Sequence, residues 1–351
     1  MKKLIHLFLV VLVAGLVACE SENPQPEEIS GLGNGAFILN EGSFGANNAS
    51  LSFFSKDSTT MTNNIYKSLT GNELGNILQS MTIIGNKAYL VLNASQKIEI
   101  LNLSTYENTR ITNLSYPRYM IQAGTDKAYI SNGNGYNQDY IYVLNTATDV
   151  ISDSIKISTG PETFLKDGSD VYVACKGGYL TDSTVYVINA NTDEITDTIP
   201  VGEVPVEMVR DAWGSIWVLC NGRIVYDTDW VTVLKTVPGC LKKIDPLTKS
   251  VEKTITFSAP VAGFSTNNLA INNEGTKLYI NDGDVKEYDI ENGVLTSLIS
   301  NTNWYGIDVD PQTGYIWGSL FSGKVQVYNT GGNRLAEYNV GISPNGVVFV
   351  E

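Results

Sequence analysis

From about residue 35 onward the chain is written in short runs that alternate apolar and polar residues, and no stretch keeps a helical period. Residues 171–205 are representative, running through "VYVAC", a loop, "VYVIN", a polar turn, "EITDTIP", then a Gly-Pro loop. A period of two places successive side chains on opposite faces, so each run predicts a short β-strand.

The pattern repeats. Polar turns start at Ser55, Asn102, Asn145, Asn189, Asp245, Asp289 and Asn329, at intervals of 47, 43, 44, 56, 44 and 40 residues. Asn, Asp, Gly and Ser suit such turns because they tolerate left-handed backbone and bond their own main chain. An alternating strand precedes each turn. Upstream lies a second series with an aromatic near the strand start, including "AYLVLN", "AYISN", "IWVLC" and "LYIND". Before most of these comes another strand and a Gly turn. The unit is therefore four strands, A to D, in roughly 40–47 residues, which predicts propeller blades rather than a sandwich.

Seven blades are expected in one all-β domain covering residues 34–351. The chain begins with a B strand, "GAFILNE", and finishes with an A strand, "SPNGVVFVE", so the two ends complete one blade and close the ring. The 56-residue interval holds one insertion, residues 221–239, between strands B and C of a single blade. No blade can bury both faces alone; stacked neighbours make the core between them.

The first residues read differently. Lys2 and Lys3 precede an apolar run over 4–18 that is too short to span a bilayer and has the length of a signal-peptide core. "LVAC" (16–19) resembles a bacterial lipobox, which implies cleavage before Cys19 and a lipid on its sulfur. Acidic, Pro-containing residues 19–33 read as a flexible tether. The expected location is the outer membrane, lipid-anchored and facing outward.

Removing Lys2 and Lys3 takes the formal charge from −14 to −16. So acidic a chain has no electrostatic footprint for nucleic acid and is repelled by anionic lipid, leaving anchorage to the lipid. The single histidine, His6, lies in the signal. The rest of the chain therefore lacks Ser-His-Asp and Cys-His pairs and His-ligated metal sites. Of the later cysteines, Cys220 and Cys240 bracket the insertion and are expected to bridge its ends. Closing about twenty residues contributes roughly 3 kcal/mol in the chain-entropy model. Cys175 with Cys220 is the competing pairing; otherwise Cys175 is a buried, inert thiol.

In a propeller the B–C and D–A loops share one face. Here those loops are rich in aromatic residues and Asn, with Asn40, Asn93, Asn132, Asn221 and Asn281 recurring at strand-B ends. Exposed aromatic clusters point to a binding face for a large, planar, amide-rich or sugar-like ligand. The alternative is that the Asn residues serve turns and the rings cap blade ends. Candidate contacts are Phe44, Arg118, Tyr136, Tyr179, Trp230, Trp304 and Tyr305. Carboxylates near the channel mouth, Glu41, Glu162 and Glu207, leave a hydrolase or lyase as a third option. "NDGD" (281–284) and "YDTDW" (226–230) do not match a calcium loop, so no metal site is expected.

The repeat resembles the bacterial YVTN and YncE-like surface propellers. More narrowly, "GAFILNEGSFGANNASLSFFS" (35–55), following a lipobox and acidic tether, looks like the BtuG-like surface cobalamin-capturing lipoproteins. That resemblance implies non-covalent binding of vitamin B12 on the loop face, no cofactor, and transfer to a TonB-dependent outer-membrane transporter. Arg118 would serve the ligand's phosphate. A surface scaffold for glycans or adhesion is the alternative reading.

Overall fold

The computed structural model describes residues 32–136, 139–261 and 267–350. Cys19 and nearly all of the expected signal and tether lie outside them. Seven four-stranded antiparallel sheets form a seven-bladed β-propeller, with an eighth, two-stranded sheet in the insertion. Blade 1 takes strand A from the C-terminus, Pro344–Val350, beside B, C and D at Gly35–Asn40, Ser50–Ser55 and Thr60–Thr62. Gly35 pairs with Val350 and Leu39 with Gly346. This ring closure removes two free sheet edges.

The core is divided among blade interfaces, and the alternation explains why. In strand B of blade 4, Asp170–Cys175, the side chains of Val171, Val173 and Cys175 pack toward blade 3. Tyr172 and Ala174 pack toward blade 5. Seven such clusters occur among the described residues, including Trp317 and Val325 of blade 7 against Ala36 and Ile38 of blade 1. Each fully buried aliphatic or aromatic side chain contributes about 1.5–3 kcal/mol.

The recurrent turn works as its composition predicts. Asn145 Oδ1 accepts from Ala147 N and Thr148 N at 3.0 Å, and Asp245 Oδ1 accepts from Leu247 N at 2.9 Å. Its last residue is left-handed at Asp149, Asp193 and Lys249. These residues also tie blades together. Lys87 meets Asp149 at 2.8 Å and Lys127 meets Asp193 at 2.7 Å. At the next interface the charges are exchanged, Asp170 meeting Lys249 at 2.9 Å.

Two features depart from the sequence pattern. A helix, Ile65–Thr70, joins blades 1 and 2, its Ile65 and Tyr66 buried. Six residues are too few to show a helical period, and packing rather than propensity holds it. The insertion is itself a hairpin, Arg223–Tyr226 with Val233–Val237. Among the described residues no helix is long and apolar enough to cross a membrane.

Candidate functional site

Strands A line the centre of the ring, so residues at their starts surround a cavity of about 510 Å³. Phe44 and Tyr179 stand at its mouth; Glu41, Gln79, Arg118, Glu207, Tyr305, Asp308 and Asn345 form much of its polar wall. Several predicted contacts are thus brought together by the closure of the ring, although they lie far apart in the chain.

The aromatic rim depends on close backbone approach. After strand B of blade 3, Asp139 accepts from Asn134 N at 3.2 Å, Gly135 N at 3.0 Å and Gly160 N at 2.6 Å. Tyr179 N then donates to Asn134 O at 2.8 Å. A Cβ on Gly178 would lie 2.2 Å from Asn134 O, and one on Gly135 would lie 2.2 Å from Gly177 O. Both glycines also have positive φ, so no other residue fits. The consequence is a stack of Tyr136 on Tyr179, centroids 5.5 Å apart and 22° between planes. The two rings remain 67% and 69% exposed. Phe44, on the loop after strand B of blade 1, is 85% exposed. Gly45 N anchors that loop by donating to Asn76 Oδ1 at 3.1 Å.

Trp230 is 82% exposed, at left-handed φ near the tip of the insertion hairpin and outside the cavity wall. Trp304 corrects the expectation of a rim residue. It is 6% exposed, its ring fills the space above Gly318, and its Nε1 donates to Gln326 Oε1 at 3.0 Å. Its neighbour Tyr305 takes the channel position: the ring meets Phe321 edge-on at 5.6 Å, and the hydroxyl donates to Glu41 Oε2 at 3.1 Å.

Below the rim lies a charged network. Arg118 Nε donates to Glu162 Oε1 and Oε2, each at 3.0 Å, and Nη1 donates to Gln79 Oε1 at 2.5 Å. Lys176 Nζ lies 3.1 Å from Glu162 Oε1. Burial would raise the Glu162 carboxyl, but the charges of Arg118 and Lys176 outweigh it and hold the group below its ordinary value. Burial lowers Lys176 despite the pull of Glu162. Two cations against one carboxylate leave one positive charge here. Glu41 is raised by burial, against hydrogen bonds from Asn345 and Tyr305. No motif marks Lys176 in the sequence beyond its place directly after "VYVAC", at the end of strand B.

Three of the strand-B asparagines serve the frame. Asn93 Nδ2 donates to Pro117 O at 3.0 Å, Asn132 Oδ1 accepts from Tyr116 N at 3.0 Å, and Asn281 Nδ2 donates to Trp304 O at 2.9 Å. They hold the D–A loops in place. Cys220 and Cys240 are directly opposed across strands Ile216–Cys220 and Cys240–Asp245, as free thiols in this structure rather than the expected bridge. Cys175 is a buried free thiol in a different core cluster.

The domain of unknown function DUF5074 matches residues 34–340, and the chain belongs to that family. No curated protein matches the sequence. Among solved structures, a proposed 6-phosphogluconolactonase of Bacteroides uniformis is similar at TM-score 0.66 and 14% identity, covering 90% of this chain and 99% of that one. A second, from Bacteroides fragilis, has TM-score 0.65 and 12% identity, covering 91% and 98%. Hydrazine synthase of Kuenenia stuttgartiensis follows the same fold at TM-score 0.60 and 13% identity, covering 76% and 92%. At these identities the likeness is one of fold alone.

Proposed function

We propose that this DUF5074-family propeller is a lipid-anchored outer-membrane protein that captures a corrinoid on its B–C loop face. It then passes the ligand to a TonB-dependent transporter. The observation that carries the reading is the gathering of exposed rings, Phe44 and the Tyr136–Tyr179 stack, around the mouth of a polar cavity. A corrin presents flat apolar patches and a rim of carboxamides. Aromatic faces cover the first, and the amide and carboxyl groups below the rim answer the second. The surplus positive charge of Arg118 and Lys176 over Glu162 suits the ligand's phosphate. A rigid ring binds with little ordering cost. A lipid tether would hold the binder near its transporter.

Binding without chemistry is part of the proposal. Glu162 is fully engaged by two cations, and the described chain contains no histidine to act as base. Calorimetric titration with cyanocobalamin tests the reading: saturable heat at micromolar protein is expected, and its absence overturns the corrinoid assignment.

A second reading, a scaffold for a macromolecular partner, is favoured by one feature. The insertion hairpin exposes Ile224, Trp230, Val231 and Leu234 together. Pull-down from solubilised membranes, with and without residues 223–237, separates the two: a partner lost with the hairpin, alongside silent corrinoid titrations, supports the scaffold.

A further inference from the structure

One sector of the central cavity offers acceptors without a cation. Glu207 and Asp308 each occupy the third position of strand A, in blades 5 and 7, and both line the cavity. Glu207 Oε1 accepts from Met208 N at 3.0 Å, and Asp308 Oδ2 accepts from Val347 N at 2.8 Å and Asn267 Nδ2 at 3.0 Å. Neither carboxyl has an ion-pair partner among the described residues. The cavity's cation, Arg118, and the adjacent Lys176 are both held by Glu162. Counting Glu41, the wall carries three carboxyls against one cation, Arg118.

Asn345 adds an independent observation on the same wall. It is 7% exposed and lines the same cavity. Its Nδ2 donates to Glu41 Oε1 at 2.9 Å and to Leu78 O and Gln79 O at 3.1 Å. Three acceptors around that atom fix the amide's orientation, and they leave Oδ1 buried without a partner. A buried unsatisfied oxygen costs about 1–3 kcal/mol.

We propose that this sector is a subsite for the ammonium group of a small organic ligand, its N–H donors shared among Glu207, Asp308 and Asn345 Oδ1. An ammonium has three donors and no acceptor, matching acceptors supplied by three different strands. No group of three or more His, Cys, Asp or Glu among the described residues could hold a metal ion, which favours the organic cation over a divalent one. Leu39, Met120 and Val347 supply apolar wall for the ligand's carbon chain. The cavity volume, about 510 Å³, falls within the usual range for small-molecule sites.

The titration behaviour agrees. Burial pushes Glu207 up to about 8, with Asp308 and Glu162 adding to the shift against the Met208 N–H. Burial pushes Asp308 up to about 7, opposed by Val347 N–H and Asn267. A bound cation would favour ionisation of both and release protons.

The probe is n-butylammonium chloride, titrated calorimetrically into the protein at about pH 8.5 and about pH 6, which bracket the two carboxyls. Saturable binding at least tenfold tighter at the higher pH is expected, with at least a tenfold loss in both Glu207→Gln and Asp308→Asn. Both variants keep the side-chain shape and remove a buried ionisable group, so thermal melting should show them folded. Tetramethylammonium, which has charge but no N–H, should bind at least tenfold more weakly. Three outcomes each overturn the proposal: no heat from butylammonium, unchanged binding in both variants, or calcium chloride binding in its place. Cyanocobalamin titrations read the aromatic rim separately, so either reading can fail without the other.

Discussion

Arg118 Nε lies 3.0 Å from both carboxylate oxygens of Glu162, with Lys176 Nζ at 3.1 Å from one of them. The arrangement joins strand A of blade 3 to strand A and the end of strand B of blade 4 at the channel. Removing the shared acid leaves two cations facing each other in a confined space. Glu162→Gln is expected to cost about 3–5 kcal/mol, measured by denaturant unfolding near neutral pH. The pH dependence has a definite sign. Glu162 is depressed in the fold, so its contribution is full above the unfolded carboxyl value of 4.5 and is lost as pH falls through the lower folded value. The variant should lack that part of the acid destabilisation.

Glu207 behaves in the opposite sense. Its folded value, about 8, lies above its ordinary 4.5. Between these values the unfolded chain is ionised while the folded protein holds a proton, so the group makes stability fall as pH rises from 4.5 to 8. Glu207→Gln should flatten that slope and raise the melting temperature most at and above pH 8. A variant whose melting temperature tracks the parent across the whole range would contradict the burial argument.

Trp304 and Trp230 give a paired contrast. Trp304→Ala empties a packed site and should cost about 3–5 kcal/mol in unfolding experiments. Gly318→Ala should cost about 1–3 kcal/mol through overpacking, because its Cβ would sit 2.0 Å from the Trp304 ring. Trp230→Ala and Phe44→Ala should leave stability within about 0.5 kcal/mol, since both rings are exposed. Tyr179→Ala should weaken cyanocobalamin binding several-fold with little change in melting temperature.

Cys220 and Cys240 face each other at the base of the insertion. Contact with Cys220 brings the Cys240 thiol down to about 7, which favours attack by its thiolate under oxidising conditions. Peptide mapping of protein exported to the periplasm should recover a Cys220–Cys240 linked peptide and an unlinked Cys175. Recovery of all three as free thiols would show that the pair stays reduced. Reduction of the bridge should lower stability by roughly 3 kcal/mol, the loop-closure value for about twenty residues.

The sequence alone determined the module, the number of blades, the closure of the ring and the position of the insertion. Those properties are local or one-dimensional. Strand alternation, Asx turns such as Asn145 and the spacing between turns act within a few residues, and stacking only multiplies them. It also placed Phe44, Tyr136 and Tyr179 on one face, because loop membership follows from strand order. Tertiary structure decided which of two adjacent residues, Trp304 or Tyr305, reaches the channel. It also brought Lys176 to Glu162, and left Glu207 and Asp308 without a counter-charge. These outcomes depend on what the neighbouring blade presents at a given height. Burial and charge compensation are set by partners more than a dozen residues away, often on another strand or blade, and no short pattern in the chain records them.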